Sequence, residues 1–352
     1  MKLDFNDLLI VPAVQSDIES RSEVTPFYQS ETGYKWHLPI IASPMDTVID
    51  NSNITIFESN RINYCIPRGS TSEPVSANDY GVMSFKSYGL DEFISVFIER
   101  ETYIENRFIL IDIANGHMSK MAIAIKKFKD MYGSYYTLMV GNVANPETYK
   151  LLSIMGADYI RIGIGNGNGC LTTQQLGIGY PMASLIKECY LIKQKLSADK
   201  IYSVAKIVAD GGMKGYSDII KALALGSDYV MVGSILNKAL ESAGPTYFMG
   251  IEIDQHADYA KWLYKKGFKL KKKFRGMSTK EVQKTWNKGK LKTSEGVVRY
   301  REVEYTLSGW TNNLIDYLKS AMSYTDKINL LEFTGTVELI QITDNAYIRY
   351  NK

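Results

Sequence analysis

Ala157-Asp-Tyr-Ile-Arg-Ile162-Gly163-Ile-Gly-Asn-Gly-Asn-Gly-Cys170 opens as an apolar run and ends in alternate glycines and one cysteine. The run reads as a buried strand. The glycines let the backbone turn sharply and come close to a ligand. A thiol is a nucleophile only as thiolate, so backbone N–H groups and nearby cations matter as much as the cysteine itself. The same strand-then-polar-turn pattern recurs on both sides. Phe108–Ala114 leads to Asn115-Gly116 and a helical pattern from Met118 to Met131. Tyr136–Val140 leads to Gly141-Asn142-Val143 and a helix from about Pro146 to Met155. Downstream, Ile201–Ala209 leads to Asp210-Gly211-Gly212 and a helix over Ser217–Leu225, and Asp228–Val232 leads to Gly233-Ser234. Strands alternating with helices indicate parallel βα units. Their run along the chain predicts a (β/α)8 barrel, with a doubly wound open sheet as the alternative. The glycine and polar signals all follow strands, which in a barrel is the catalytic face.

The 352 residues are 45% hydrophobic and 22% charged, with a formal net charge of +3. That is an ordinary globular composition, long enough for one large domain. The small charge gives no reason to expect a nucleic-acid or membrane partner. No apolar run reaches the length of a membrane span, and no signal-peptide pattern opens the sequence. Cys65, Cys170 and Cys189 are odd in number and far apart, which points to a reducing, cytoplasmic setting and away from a disulfide framework. His37, His117 and His256 carry no metal-site spacing. Lys261 to Tyr305 is polar, rich in lysine and poor in apolar periodicity, and reads as a flap over about residues 261–305.

These motifs together resemble the IMP dehydrogenase/GMP reductase family, in that family's order. Leu3–Pro12 is similar to its LTFDDVLLVP opening, and Leu38–Val48 to its proline-methionine-aspartate loop. Asp112-Ile-Ala-Asn115-Gly116, Gly141-Asn142-Val143, the Cys170 loop through Pro181, Asp210-Gly211-Gly212, Val230–Gly233 and Arg275-Gly276-Met277-Ser278 continue the series. The resemblance implies a single barrel of residues 1–352 without the tandem CBS regulatory insert of many dehydrogenases. It implies covalent attack of Cys170 on C2 of a purine nucleotide, splitting one hard substitution into two easier steps. Hydride then moves between C2 and a nicotinamide. Thr172 takes the place of a proton-relaying hydroxyl, and Glu295 that of a proton-managing carboxyl.

For the substrate, the resemblance implies Ser43, Met45, Asp210, Gly211, Gly212, Gly233, Ser234, Met277, Ser278, Lys292 and Gly296. For the cofactor it suggests Arg68, Ser84, Asp112, Asn115 and Tyr324, the last often reaching a neighbouring subunit. Carbonyls of Gly165, Gly167 and Cys170 would hold a monovalent cation, K+. Family members form homotetramers.

Phe274–Thr279 and Ser294-Glu295-Gly296 look like the reductase branch, which converts GMP to IMP and ammonia with NADPH. The dehydrogenase branch oxidises IMP with NAD and uses an Arg-Tyr pair that activates water; none lies between Gly276 and Glu295. Ser43-Pro44 and His117 look more like the dehydrogenase. The cysteine loop also departs from the family: Cys170-Leu171-Thr172-Thr173 lacks the usual arginine, and Asn168 and Leu176 replace a serine and a threonine. That drift leaves open a modified purine substrate, or nucleotide binding without turnover. The lysines at 265, 266, 269, 271, 272 and 273 read as a solvated connection, or else as a basic rim that draws in anionic nucleotides.

Overall fold

The computed structural model describes residues 1–29, 35–70, 72, 81–199, 203–277, 279 and 296–350. Parallel strands close into a barrel in chain order. They are β1 (Ile40–Ala42), β2 (Asn63–Ile66), β3 (Ser84–Tyr88), β4 (Phe108–Asp112), β5 (Thr137–Val143), β6 (Tyr159–Ile162), β7 (Lys206–Asp210) and β8 (Tyr229–Val232). β8 pairs back onto β1, so the sheet is closed and the open-sheet alternative falls away.

Helices between the strands are α1 (Ile54–Ser59), α2 (Leu90–Phe93), α3 (Ser119–Tyr132), α4 (Pro146–Ile154), α5 (Thr172–Leu176), α6 (Met182–Ala198) and α7 (Tyr216–Leu225). α2 widens into π-helical turns over Ile94–Glu99. α4 starts where sequence chemistry says it should: the Asn145 side chain accepts from Glu147 N and Pro146 takes the first position. α7 stops at Gly226, whose φ of 116° suits glycine, and a Cβ there would strike the Tyr190 ring.

Side-chain alternation sorts the apolar residues into two layers. Ile41, Cys65, Phe85, Leu110, Met139, Val208 and Met231 fill the barrel. Their sequence neighbours, among them Ile40, Ile109, Ile111, Ile160 and Ile207, face outward and pack in the layer that includes the helices. At the N-terminal end of the barrel, Tyr28–Gln29 and Trp36–His37 form a small antiparallel hairpin. Its Tyr28 ring lies 5.2 Å from Tyr229, and His37 Nε2 lies 3.0 Å from the Tyr229 hydroxyl.

Beyond the barrel, β9 (Thr246–Phe248), β10 (Ile251–Ile253), β11 (Lys271–Arg275) and β12 (Val298–Glu302) form an antiparallel sheet in the order β10-β9-β11-β12. α8 (Asp258–Lys265) sits between β10 and β11, and α9 (Leu307–Tyr324) follows β12. The lysine-rich stretch therefore holds regular structure. Leu270, Lys272 and Phe274 alternate inward and are all buried. Lysine at the middle inward position hides that period-2 pattern from a sequence reading. Among the described residues no helix is long and apolar enough to cross a membrane.

His37 carries a pH signature. Burial, and then the Lys206 charge, lower its pKa from 6.5 to about 4. Below pH 6.5 the unfolded chain takes up a proton that the folded chain refuses. Stability is therefore full above pH 6.5 and falls as pH drops toward 4, by about 3 kcal/mol from this group. Urea unfolding across that window should show His37→Gln losing less stability than the parent; parallel curves would refute the assignment.

Candidate active site

A cavity of about 580 Å³ opens at the C-terminal ends of the barrel strands. Ser43 and Met45 enter from the loop after β1, Arg68 from the loop after β2, and Asp112 from the end of β4. The glycine loop after β6, Asp210-Gly211-Gly212 after β7 and Gly233-Ser234 after β8 complete the barrel side. Phe274, Gly276 and Met277 enter from β11 and the turn beyond it.

Cys170 is half-buried at the end of the glycine loop, just before α5. Its Sγ lies 3.2 Å from Thr172 Oγ1, so thiol and hydroxyl share a hydrogen bond. The loop is clasped by the outer sheet. Cys170 bridges Gly296 in antiparallel fashion, Val297 N donates to Gly169 O at 3.2 Å, and Gly276 N donates to Val297 O at 3.0 Å. A Cβ on Gly276 would sit 2.3 Å from Gly169 O, so only glycine permits this approach. Arg275 Nε donates to Asp46 Oδ1 at 3.2 Å and ties the end of β11 to the loop after β1.

Beneath the cavity lies Arg161, a residue the sequence reading passed over. It is 5% exposed. Nη1 donates to Asp112 Oδ1 at 2.6 Å and Nη2 to Asp210 Oδ2 at 2.8 Å. Asn142 Nδ2 donates to the same Asp210 oxygen at 2.6 Å and to Gly163 O at 3.0 Å. Burial opposes the guanidinium charge, but Asp210 and Asp112 outweigh it and hold the pKa above the ordinary arginine value. A Cβ on Gly141 would come within 2.5 Å of the Arg161 Cβ, so the glycine makes room for the arginine. A signal for Arg161 was available. It shares β6's inward parity with Tyr159, and a charge on that parity inside a buried strand must meet partners.

His117 also escaped a firm role. Its Nε2 accepts from Ala144 N at 3.0 Å and its Nδ1 lies 3.0 Å from Thr148 Oγ1. It joins the loop after β4 to the loop after β5, and burial lowers its pKa.

The expected site residues separate on this geometry. Cys170, Thr172, Ser43, Met45, Asp210, Gly211, Gly212, Gly233, Ser234, Met277, Arg68 and Asp112, with Gly165 and Gly167, line one cavity. Gly233 makes the close approach of Met45 possible, since a Cβ there would lie 2.7 Å from its sulfur. Ser234 Oγ accepts from Asn168 Nδ2 at 2.9 Å, so the residue that replaces the family's serine ties the glycine loop to the loop after β8. Gly167 O already accepts from Cys170 N at 2.9 Å, leaving one lone pair for a cation. Gly296 contacts the cysteine backbone and is not among the residues that line the cavity.

Placement corrects Ser84 and sets two other residues off the cavity wall. Ser84 opens β3, so it lies at the opposite, N-terminal rim of the barrel, with its side chain buried. Asn115 stands outside the cavity wall, its Oδ1 accepting from His117 N at 3.1 Å. Tyr324 ends α9 and is 69% exposed, away from this chain's own cavity; the expectation sets it against a neighbouring subunit. Ser278, Lys292 and Glu295 lie outside the described residues.

The sequence model of the IMP dehydrogenase / GMP reductase domain matches residues 102–350. The chain belongs to that family. It is 29% identical to a GMP reductase of Phytophthora infestans, across 97% of this chain and 91% of the relative. It is 27% identical to a GMP reductase of Caenorhabditis elegans, across 99% of this chain and 94% of that protein. Identity to GMP reductase 2 of Homo sapiens is 28%, across 98% and 96% respectively.

Arg161→Met would strand the largely covered Asp210 carboxylate and leave Asp112 only Arg68, at 3.5 Å. Removing one partner of a buried charge network costs about 3–5 kcal/mol. Urea unfolding should show a loss of that size, partly recovered when Asp210→Asn is added. A double variant no more stable than the single one would contradict this account of the network.

Proposed function

We propose that this chain is a purine-nucleotide oxidoreductase that reduces GMP to IMP and ammonia with NADPH. The observation that carries the reading is the Cys170–Thr172 hydrogen bond, at the edge of a cavity ringed by glycine turns, in a chain of this family. The names of its relatives support the reductase branch. So does the position of Arg299-Tyr300: both belong to β12, and neither is among the residues that line the catalytic cavity.

In the proposed reaction Thr172 takes the thiol proton and Cys170 adds to C2 of GMP. The C2 amine leaves as ammonia with a proton relayed through Thr172, and Glu295 is assigned to that relay on sequence alone. The product of this step is a C2–S thioimidate. When bound, the dihydronicotinamide would supply hydride to C2; the C2–S bond then breaks with its electron pair on sulfur, and IMP and the Cys170 thiolate result, the thiolate taking a proton from solvent. The glycine N–H groups after β7 and β8 hold the phosphate. Asp210 offers a ribose hydroxyl its Oδ1, since both of its bonds among the described residues fall on Oδ2. Arg68 and Asp112 supply a cation and an acceptor on the wall assigned to the cofactor, a donor set that fits a nicotinamide ribose and its phosphate. The same reading makes residues 1–352 one barrel with a flap over about 261–305, a K+ site at the Gly165–Cys170 carbonyls, a homotetramer and a reducing cytoplasmic setting. Ser43-Pro44 favours a second reading, oxidation of IMP with NAD.

NADPH consumption with GMP, and NADH formation with IMP, separate the two branches. In the reductase, Cys170→Ala should lower turnover by at least about 10³-fold while GMP still binds. Thr172→Val should cost about 10²-fold, the scale of one acid–base group. A Cys170→Ala protein that still releases IMP would overturn the mechanism. NADH formation alone would move the chain to the dehydrogenase branch.

A further inference from the structure

The outer sheet carries a second cavity of about 530 Å³, lined by Tyr247, Met249, Gly250, Lys269, Lys271 and Tyr300. It lies on the sheet face opposite the one that buries Lys272 and turns Phe274 toward the catalytic cavity. Register fixes this. Tyr247 pairs with Lys271, Lys271 with Glu302, and Tyr300 stands two residues along β12 on the same face.

The walls hold two chemistries. Tyr247 and Tyr300 meet edge to face at 5.6 Å, and Tyr300 is 58% exposed. Met249 is 86% exposed at the β9–β10 turn, where it and Gly250 have φ of 50° and 85°. Polarizable sulfur and aromatic faces left in solvent suit a flat ring. Beside them, Lys269 and Lys271 are two residues apart in extended chain, roughly 7 Å between backbones, and their flexible stems can converge on the phosphates of one ligand. Glu302 pairs with Lys269 at 3.1 Å and Glu252 accepts from the Tyr247 hydroxyl at 3.1 Å. Lys271 makes no ion pair among the described residues and is the cation left to a ligand. The lysine run thus divides. Lys272 points inward, donating to Ser242 O and Gly244 O, while Lys269 and Lys271 face this cavity.

We propose that this outer cavity is a second nucleotide site. It takes a nucleoside polyphosphate, base on Tyr300 and Met249, phosphates on Lys271 and Lys269. The site spans the β9–β10 turn, β11 and β12. β11 runs directly into Gly276, and β12 begins two residues after Gly296, the two glycines that clasp the Cys170 loop. A ligand across these strands is coupled to the catalytic loop, and by linkage the coupling is reciprocal.

The test is calorimetric titration of the full chain with ATP and with GTP, in saturating IMP and NADP+. One further binding equivalent per chain is expected, weakened at least tenfold in both Lys271→Glu and Tyr300→Ala. Absence of that equivalent, or its persistence in both variants, overturns the proposal. So does inorganic triphosphate binding as tightly as ATP, because the ring would then contribute nothing. If IMP and NADP+ fail to bind, the catalytic reading fails separately, while the variant-sensitive equivalent still reports on this site.

Discussion

Arg161 is the constraint around which the catalytic end of the barrel is arranged. Its guanidinium stands inside the barrel, buried, held by carboxylates at the ends of β4 and β7. Asn142 at the end of β5 joins the same Asp210 oxygen and reaches Gly163, the first residue of the cysteine loop. One charge therefore fixes the ends of β4, β5, β6 and β7 relative to one another. Remove it and Asp210 loses its ion pair while Asp112 keeps only the longer one to Arg68, so two acids at the base of the cavity repel with less to offset them. The base of the cavity is rigid for that reason, and the glycine loop above it starts from a fixed point.

The upper wall is made differently. The cysteine loop has few side chains of its own, so it is shaped by backbone contact with the outer sheet. Gly276 and Gly296 approach Gly169 and Cys170 closely enough that larger residues would not fit at Gly276. Arg275 and Asp46 hold the same strand end against the loop after β1. Lys272, buried with its ammonium on two backbone carbonyls, anchors β11 to the loop after β8. Burial pushes its pKa down to about 7. The outer sheet is thus both a wall of the catalytic cavity and, on its other face, the wall of a second one.

Much of the site was readable from spacing. Glycine turns after apolar runs, and a cysteine two residues before a threonine, are local features, and the barrel brings them together. Arg161 was missed because it sits in a run of apolar residues and its partners are 49 residues away on either side. Ser84 was misplaced because a strand's direction decides which rim its first residue occupies, and only the assembled barrel shows this. The strands of the lysine-rich segment were hidden because one inward position carries lysine, whose charge is satisfied by carbonyls from a distant loop.

By itself the sequence determined the βα alternation and the placement of glycine turns after strands. Both follow from periodicity and backbone freedom over a few residues; the pairing of Cys170 with Thr172 came from the family resemblance. Tertiary structure alone decided which end of each strand meets the cavity, which carboxylates neutralise Arg161, and which lysines face solvent. Those depend on contacts between residues far apart in the chain. A buried charge or a close backbone approach has no meaning until the partner strand is in place.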